Sequence, residues 1–251
     1  MLKYLFLSLL FVTSIYAEMK SVDYRIEFGI VGEVGRVHTE YTSTAKSYMI
    51  DTHVKAVGTL AKTVTRNLKE EHICKGIIRK GKRIATSYEM KKTFGEYKTN
   101  TLYMVNHKTK KLTKEFSEWT KNEHGKYKLS YHYKDRLGYV SDDDMVTLFL
   151  NLSYKIKDKF TPKHYTFRAI GADIKRGIVD INIPTKKEAK QMQKLLGKPN
   201  RGEWLMNFVM HRKLYGSKKG ELMVRMGKDS TIEKAVLKDL LFFGDVRIIR
   251  K

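Results

Sequence analysis

His72 and Cys74, two residues apart, and the run Asp142, Asp143 and Asp144 are where this chain's residue types could do chemistry. An imidazole and a thiol at that spacing serve zinc when further ligands complete a tetrahedral set, and a thiol beside a base can act as a nucleophile. No second pair completes the set: Cys74 is the only cysteine, and no regular partners accompany His72, so the two are read as structural or surface residues. Three adjacent carboxylates suit a hard cation such as calcium, which needs several oxygen ligands. The run lacks an EF-hand pattern, however, and it directly precedes a helically spaced apolar stretch. It therefore reads as a helix start, where negative charge meets free N–H groups and the helix dipole. His132, His164 and His211 are widely separated and define no constellation. Gly29, Gly32 and Gly35 have neither the Gly-Lys-Ser/Thr ending of a phosphate loop nor dinucleotide-binding spacing, so a bend or bulge is expected there. With no Gly-x-Ser-x-Gly and no paired zinc-ligand motif, the sequence predicts no catalytic residue, no metal ligand and no cofactor.

The elements that would position any site are mostly strands. The clearest exception is Ser141–Ile156, in which Ser141 is expected to cap the first turn and Met145, Leu148, Phe149 and Leu152, followed by Ile156, recur at helical spacing as one apolar face. Such a face must be covered, and strands are the material available. Tyr24, Ile26, Phe28 and Ile30 alternate with charged residues, and further period-two runs follow across Tyr48–Val57, Glu96–Val105 and Val179–Ile183, with a hairpin turn near Arg79, Lys80, Gly81 and Lys82. Thr59–Leu68 is compatible with either a short helix or a strand. Trp204–His211 and Leu222–Met226 read as strands joined by a turn at Ser217–Gly220, and Gly244 and Asp245 turn the chain into a last strand. The fold class expected is mainly β: a curved antiparallel sheet, barrel or spiral-like, packed around one central helix. No composition break or Pro/Gly-rich linker divides 18–251, which is read as a single domain.

Lys3, the apolar run Tyr4–Tyr16 and Ala17 predict a cleaved secretory signal over 1–17 and a periplasmic destination, with no permanent membrane span. One cysteine excludes an internal disulfide framework, so burial and strand pairing must supply stability. Fifty Lys and Arg against 27 Asp and Glu give a formal net charge of +23, which favours anionic partners. For an exported chain, a lipid or other acidic envelope component is the more accessible partner, and nucleic acid is not expected.

Two surfaces are candidates for contact. Tyr127, Leu129, Tyr131 and Tyr133 alternate with polar residues, which places them on one sheet face. That face is a core or helix-packing surface, an apolar-ligand lining, or a stacking platform. Lys186, Lys187, Lys190, Lys194 and Lys198 surround Ala189, Met192, Leu195 and Leu196 in a short amphipathic helix ended by Gly197 and Pro199. Its lysines are either a solvated face or an anionic-surface contact.

The stretches DYRIEFGIVGEVGRV, SDDDMVTLFLNL and the terminal GDVRIIRK resemble an exported bacterial β-rich family catalogued as domain of unknown function 3108. The resemblance implies a periplasmic barrel or spiral-like sheet with an internal helix, and no activity. The expected function is accordingly non-enzymatic: an envelope-associated protein binding a hydrophobic or lipid-containing component. The alternatives are a structural or protein-interaction scaffold with an envelope protein as partner, and a hydrolase acting on an envelope polymer.

Overall fold

The computed structural model describes residues 18–172, 175–210, 221–237 and 245–251. The expected leader at 1–17, His211, the expected turn at Ser217–Gly220 and Gly244 lie outside the described residues.

The chain first runs as an eight-strand meander: β1 (Glu18–Phe28), β2 (Gly32–Ser43), β3 (Ser47–Ala56), β4 (Lys69–Arg79), β5 (Lys82–Phe94), β6 (Tyr97–Asn106), β7 (Lys111–Lys121) and β8 (Tyr127–Leu137). Between β3 and β4, Thr59–Val64 forms the short helix α1, so the open choice there resolves as helix. Lys80 and Gly81 both adopt positive φ, 51° and 75°, at the tip of the β4–β5 hairpin. This is the twist that matches a two-residue turn to its flanking strands.

A second meander follows: β9 (Lys163–Arg168), β10 (Ile178–Ile183), β11 (Trp204–Met210), β12 (Glu221–Met226), β13 (Ile232–Leu237) and β14 (Val246–Arg250). Its last strand returns to pair antiparallel with β1, from Tyr24 opposite Arg250 to Phe28 opposite Val246. The two meanders thereby fuse into one 14-stranded antiparallel sheet in the order β8-β7-β6-β5-β4-β3-β2-β1-β14-β13-β12-β11-β10-β9. The sheet does not close into a barrel: β8 and β9 are its two free edges.

The connection between those edges contains α2 (Met145–Lys155). Residues before α2 are stitched to both sides, since Ala85 N–H donates to the Asp142 carbonyl and Ile170 N–H donates to the Asp143 carbonyl. One helix face, with Leu148 and Leu152 fully buried, packs with Val179, Ile181, Trp204, Met206, Phe208, Val224 and Met226. Phe149 is half-buried and stacks on Phe208, ring centroids 4.8 Å apart. The opposite face carries Val146 and Leu150 against a second cluster that includes Tyr41, Tyr48, Ile50, Cys74, Tyr88 and Tyr103. A single apolar face was expected. Thr147 and Asn151 interrupt the second one, which hides it from a hydropathy pattern although both residues are buried.

Gly76 shows how tightly this interior is fitted. A Cβ there would collide with the Ile84 carbonyl oxygen and the Tyr48 ring, so a side chain at this inward position would displace the hairpin partner. On the outer face, α3 (Lys186–Leu196) is started by a Thr185–Glu188 capping box, and Met192 and Leu196 pack with Leu205, Met223 and Val236. Among the described residues, the second meander is thus covered on both faces, whereas α2 covers only part of the inner face of the first.

Candidate functional site

The Asp-rich segment is assembled for structure, and its three carboxylates do three different things. The helix begins later than the spacing implied, and the N-cap is Asp144 rather than Ser141. Asp144 accepts from the N–H groups of Val146 and Thr147, both at 2.8 Å, and from the Thr147 hydroxyl at 2.7 Å. A carboxylate reaches two amides and a hydroxyl at once, so it displaces serine from the capping role. Ser141 instead donates to the Arg168 carbonyl and receives the Asp143 N–H. Asp143 accepts from the Asn151 amide and from Lys155, and Asp142 pairs with Lys82 at the surface.

Cys74 lies in the same interior network. Burial, and then the neighbouring Asp144 charge and hydrogen bond, push its thiol well above the ordinary range. A thiol held protonated in this way is a poor nucleophile and a poor metal ligand.

A different set of inward residues lies beyond the strand positions that α2 covers. The register aligns Thr39, Thr52, His72, Met90, Thr101, Phe116 and Tyr133 as successive cross-strand partners from β2 to β8. The next row is Val37, Val54, Glu70, Lys92, Thr99, Glu118 and Tyr131. Cross-strand partners share a face, so these two rows make a mixed apolar and polar floor on the inner side of the first meander.

Two constellations occupy that floor. In the first, His72 Nδ1 meets the Tyr88 hydroxyl at 2.9 Å, His72 Nε2 meets Glu70 at 3.1 Å, and Lys92 donates to Glu70 at 2.8 Å. Both imidazole nitrogens are thereby engaged, so His72 has no free nitrogen to offer a substrate, and the chain Tyr88–His72–Glu70–Lys92 acts as a positioning network. Burial pushes the Glu70 carboxyl up, yet the hydrogen bond from His72 and the charge and hydrogen bond of Lys92 outweigh it and hold the group at about 2, against 4.5 ordinarily. A folded-state value below the unfolded one means that ionised Glu70 stabilises the fold above pH 4.5, and that this contribution is lost as pH falls toward 2. Glu70→Gln should therefore be less stable than the parent at neutral pH and lose stability less steeply between pH 4.5 and 2. Urea titrations across that range check this, and parallel curves for the two proteins would refute it.

The second constellation is aromatic and cationic. Phe116, Tyr131 and Tyr133 form a ring cluster with centroid separations of 5.5 to 6.2 Å. Lys114, only 8% exposed, sits against it. Its ammonium donates to the Tyr133 hydroxyl and lies 5.8 and 5.1 Å from the ring centroids of Phe116 and Tyr133, and it makes no ion pair among the described residues.

The expected aromatic stripe is divided. A register shift between Glu118 and Trp119 leaves Tyr131 opposite Glu118 but Leu129 opposite Trp119, so β8 holds one extra residue there, Ser130. Such a bulge reverses the alternation beyond it. Tyr131 and Tyr133 face inward with Phe116, while Leu129 and Tyr127 face outward with Trp119 and Lys121. Lys121 lies over the Tyr127 ring, 5.4 Å from its centroid.

Lys186, Lys187, Lys190, Lys194 and Lys198 are all exposed, on or just beyond α3. They belong to the second meander, and the structure does not bring them to the β8 aromatics. Nor do His132 and His164 converge: His132 on the edge strand β8 contacts Ser117 on its neighbour β7, and His164 contacts Asn182 and Thr166 at the other edge. Glu70, Lys92, Lys114 and Phe116 escaped sequence reasoning. The available signal was that Glu70, His72 and Cys74 share one face by two-residue spacing.

Among the described residues, no helix is long and apolar enough to cross a membrane. No protein-family model matches the chain, and no curated protein does. Among solved structures, it is similar to a β-barrel-like protein of domain of unknown function 1849 from Brucella abortus, with 9% identity, a TM-score of 0.49, and coverage of 94% of this chain and 95% of that one. The resemblance to domain of unknown function 3108 is thereby corrected: no family model matches, and this distant similarity is to a different domain of unknown function.

Proposed function

We propose that this is an exported, non-enzymatic envelope protein that binds an amphipathic, lipid-containing component bearing an anionic group on the inner floor of its first meander. The observation that carries the reading is Lys114. A nearly buried ammonium with no ion pair among the described residues is costly, its cross-strand partner Asp135 accepting instead from the Arg136 N–H, and an incoming anion would supply the missing charge while Phe116, Tyr131, Tyr133 and Met90 offer apolar contact to its tail. The engagement of both His72 nitrogens supports binding over hydrolysis. Export rests on the leader at 1–17, and the +23 net charge draws acidic head groups to the surface before any specific contact forms.

The test uses protein recovered from separated cell fractions, with its mass locating the start of the mature chain at Glu18. Binding is read with a fluorescent long-chain carboxylate and the corresponding neutral alcohol. The carboxylate should bind saturably and keep its affinity as salt rises, and Lys114→Met should weaken it about tenfold. Equal affinity for the neutral alcohol, or loss of carboxylate binding with salt to the level of a charge-matched control protein, would overturn the proposal. Cytoplasmic retention of the Met1-containing chain would overturn the export reading separately.

A scaffold role is the second reading, favoured by one observation: β8 is an unpaired edge on which Leu129 and Tyr131 are 52% and 55% exposed. An open edge of this kind can accept a partner strand. Recovery of one defined envelope protein, with no bound lipid, would favour it.

A further inference from the structure

The outer face of the first meander carries a separate donor set. Asp51 and His53 lie two residues apart on β3, and Glu71 on β4 is the direct cross-strand partner of His53. One donor atom from each lies within 4.8 Å of the other two. His53 Nε2 stands 3.2 Å from Asp51 Oδ1, and that oxygen is closed to solvent and accepts no hydrogen bond. A buried carboxylate oxygen without a donor is expensive, and a bound cation is one of the few things that removes the cost.

The neighbouring histidine is differently placed. His38, opposite His53 on β2, has Nδ1 on Asp23 at 2.9 Å and Nε2 on Glu40 at 3.1 Å. His53 has no hydrogen bond to either nitrogen among the described residues, and it borders two open depressions of about 480 and 340 Å³. Its ring is therefore accessible, and its contact with Asp51 at 3.2 Å is made within the donor set itself.

We propose that Asp51, His53 and Glu71 form a binding site for a divalent transition-metal cation of the zinc class. Metal–donor bonds of about 2.0 to 2.2 Å place neighbouring donor atoms roughly 3.3 Å apart, which the Asp51–His53 pair already satisfies. Glu71 completes the set by rotating its long side chain inward. An imidazole with two carboxylates selects zinc, cobalt or nickel over calcium or magnesium, which prefer oxygen-only shells. Three protein donors leave one position for water or an anionic group. The competing charge is Lys91, whose ammonium lies 3.3 Å from Glu71 and 3.6 Å from Glu89. Lys55 and Lys69 line the same depression as Glu71, and Glu40 approaches from β2 opposite Asp51.

The experiment is zinc calorimetry and cobalt(II) absorption on the untagged mature chain after chelator treatment. One zinc per chain is expected, with His53→Ala and Asp51→Ala each weakening binding by at least about tenfold. Lys91→Met, which releases Glu71, should tighten it, and His124→Ala, at an exposed turn, should change nothing. Circular dichroism confirms that each variant is folded. Absence of saturable zinc binding to the parent protein, or unchanged affinity in folded His53→Ala, overturns the assignment.

Discussion

Asp143→Ala is expected to lower the stability of the folded chain by about 3 to 5 kcal/mol in urea unfolding. The carboxylate is 1% exposed and holds Lys155 through one oxygen and the Asn151 amide through the other. Removing it strands a largely buried ammonium and deprives Asn151 of one acceptor, leaving it the Arg83 carbonyl. Asn151 is the residue through which α2 is tied to β5, because its side chain also receives the Arg83 N–H. The expected loss is therefore the cost of an uncompensated charge together with a loosened helix–sheet junction. Adding Lys155→Met should restore part of the stability, since the stranded charge is then removed along with its partner. A loss below about 1 kcal/mol for Asp143→Ala, or no recovery in the double variant, would show that Lys155 finds water instead.

Leu152→Ala should cost a similar amount, about 3 to 5 kcal/mol, and should cost more than Phe149→Ala. Leu152 is fully buried in the cluster that joins α2 to the second meander. Truncation there opens a cavity among Trp204, Met206 and other side chains fixed by both the sheet and the helix, so little relaxation is available. Phe149 is larger, but part of its ring faces solvent, and only its stack on Phe208 is fully lost on truncation. Denaturant midpoints for the two variants decide the order. If Phe149→Ala proves the more destabilising, the helix sits deeper against β11 than described.

Asp143 secures, through Asn151, the side of α2 that meets β5, whereas Leu152 lies on the side that meets the second meander, and that arrangement follows from topology. An eight-strand and a six-strand meander, fused at β1 and β14, leave β8 and β9 as distant ends of one sheet. The segment joining them must return across the sheet's inner side. A helix whose two faces are both apolar enough to bury serves there as the filler between the halves.

The sequence alone determined most of the elements, with Thr59–Leu68 left open between helix and strand. Period-two runs and their turn residues locate most strands because alternation reflects a local fact, that successive side chains point to opposite faces. Helical spacing locates α2 and α3, and the Thr185–Glu188 pair starts α3 through contacts within one turn. The tertiary structure decided whatever depends on residues distant in sequence. Asp144 outcompetes Ser141 as N-cap because Ser141 is drawn to Arg168, 27 residues away. The aromatic stripe is split because the register against β7 inserts Ser130, which no property of β8 by itself discloses. Lys114 becomes a buried cation because β8 lays Tyr133 over it, and Asp51, His53 and Glu71 meet because β3 and β4 pair in one register. Local periodicity fixes which way a side chain points. What it then faces is set by strand register, and register is an energetic outcome of the whole sheet.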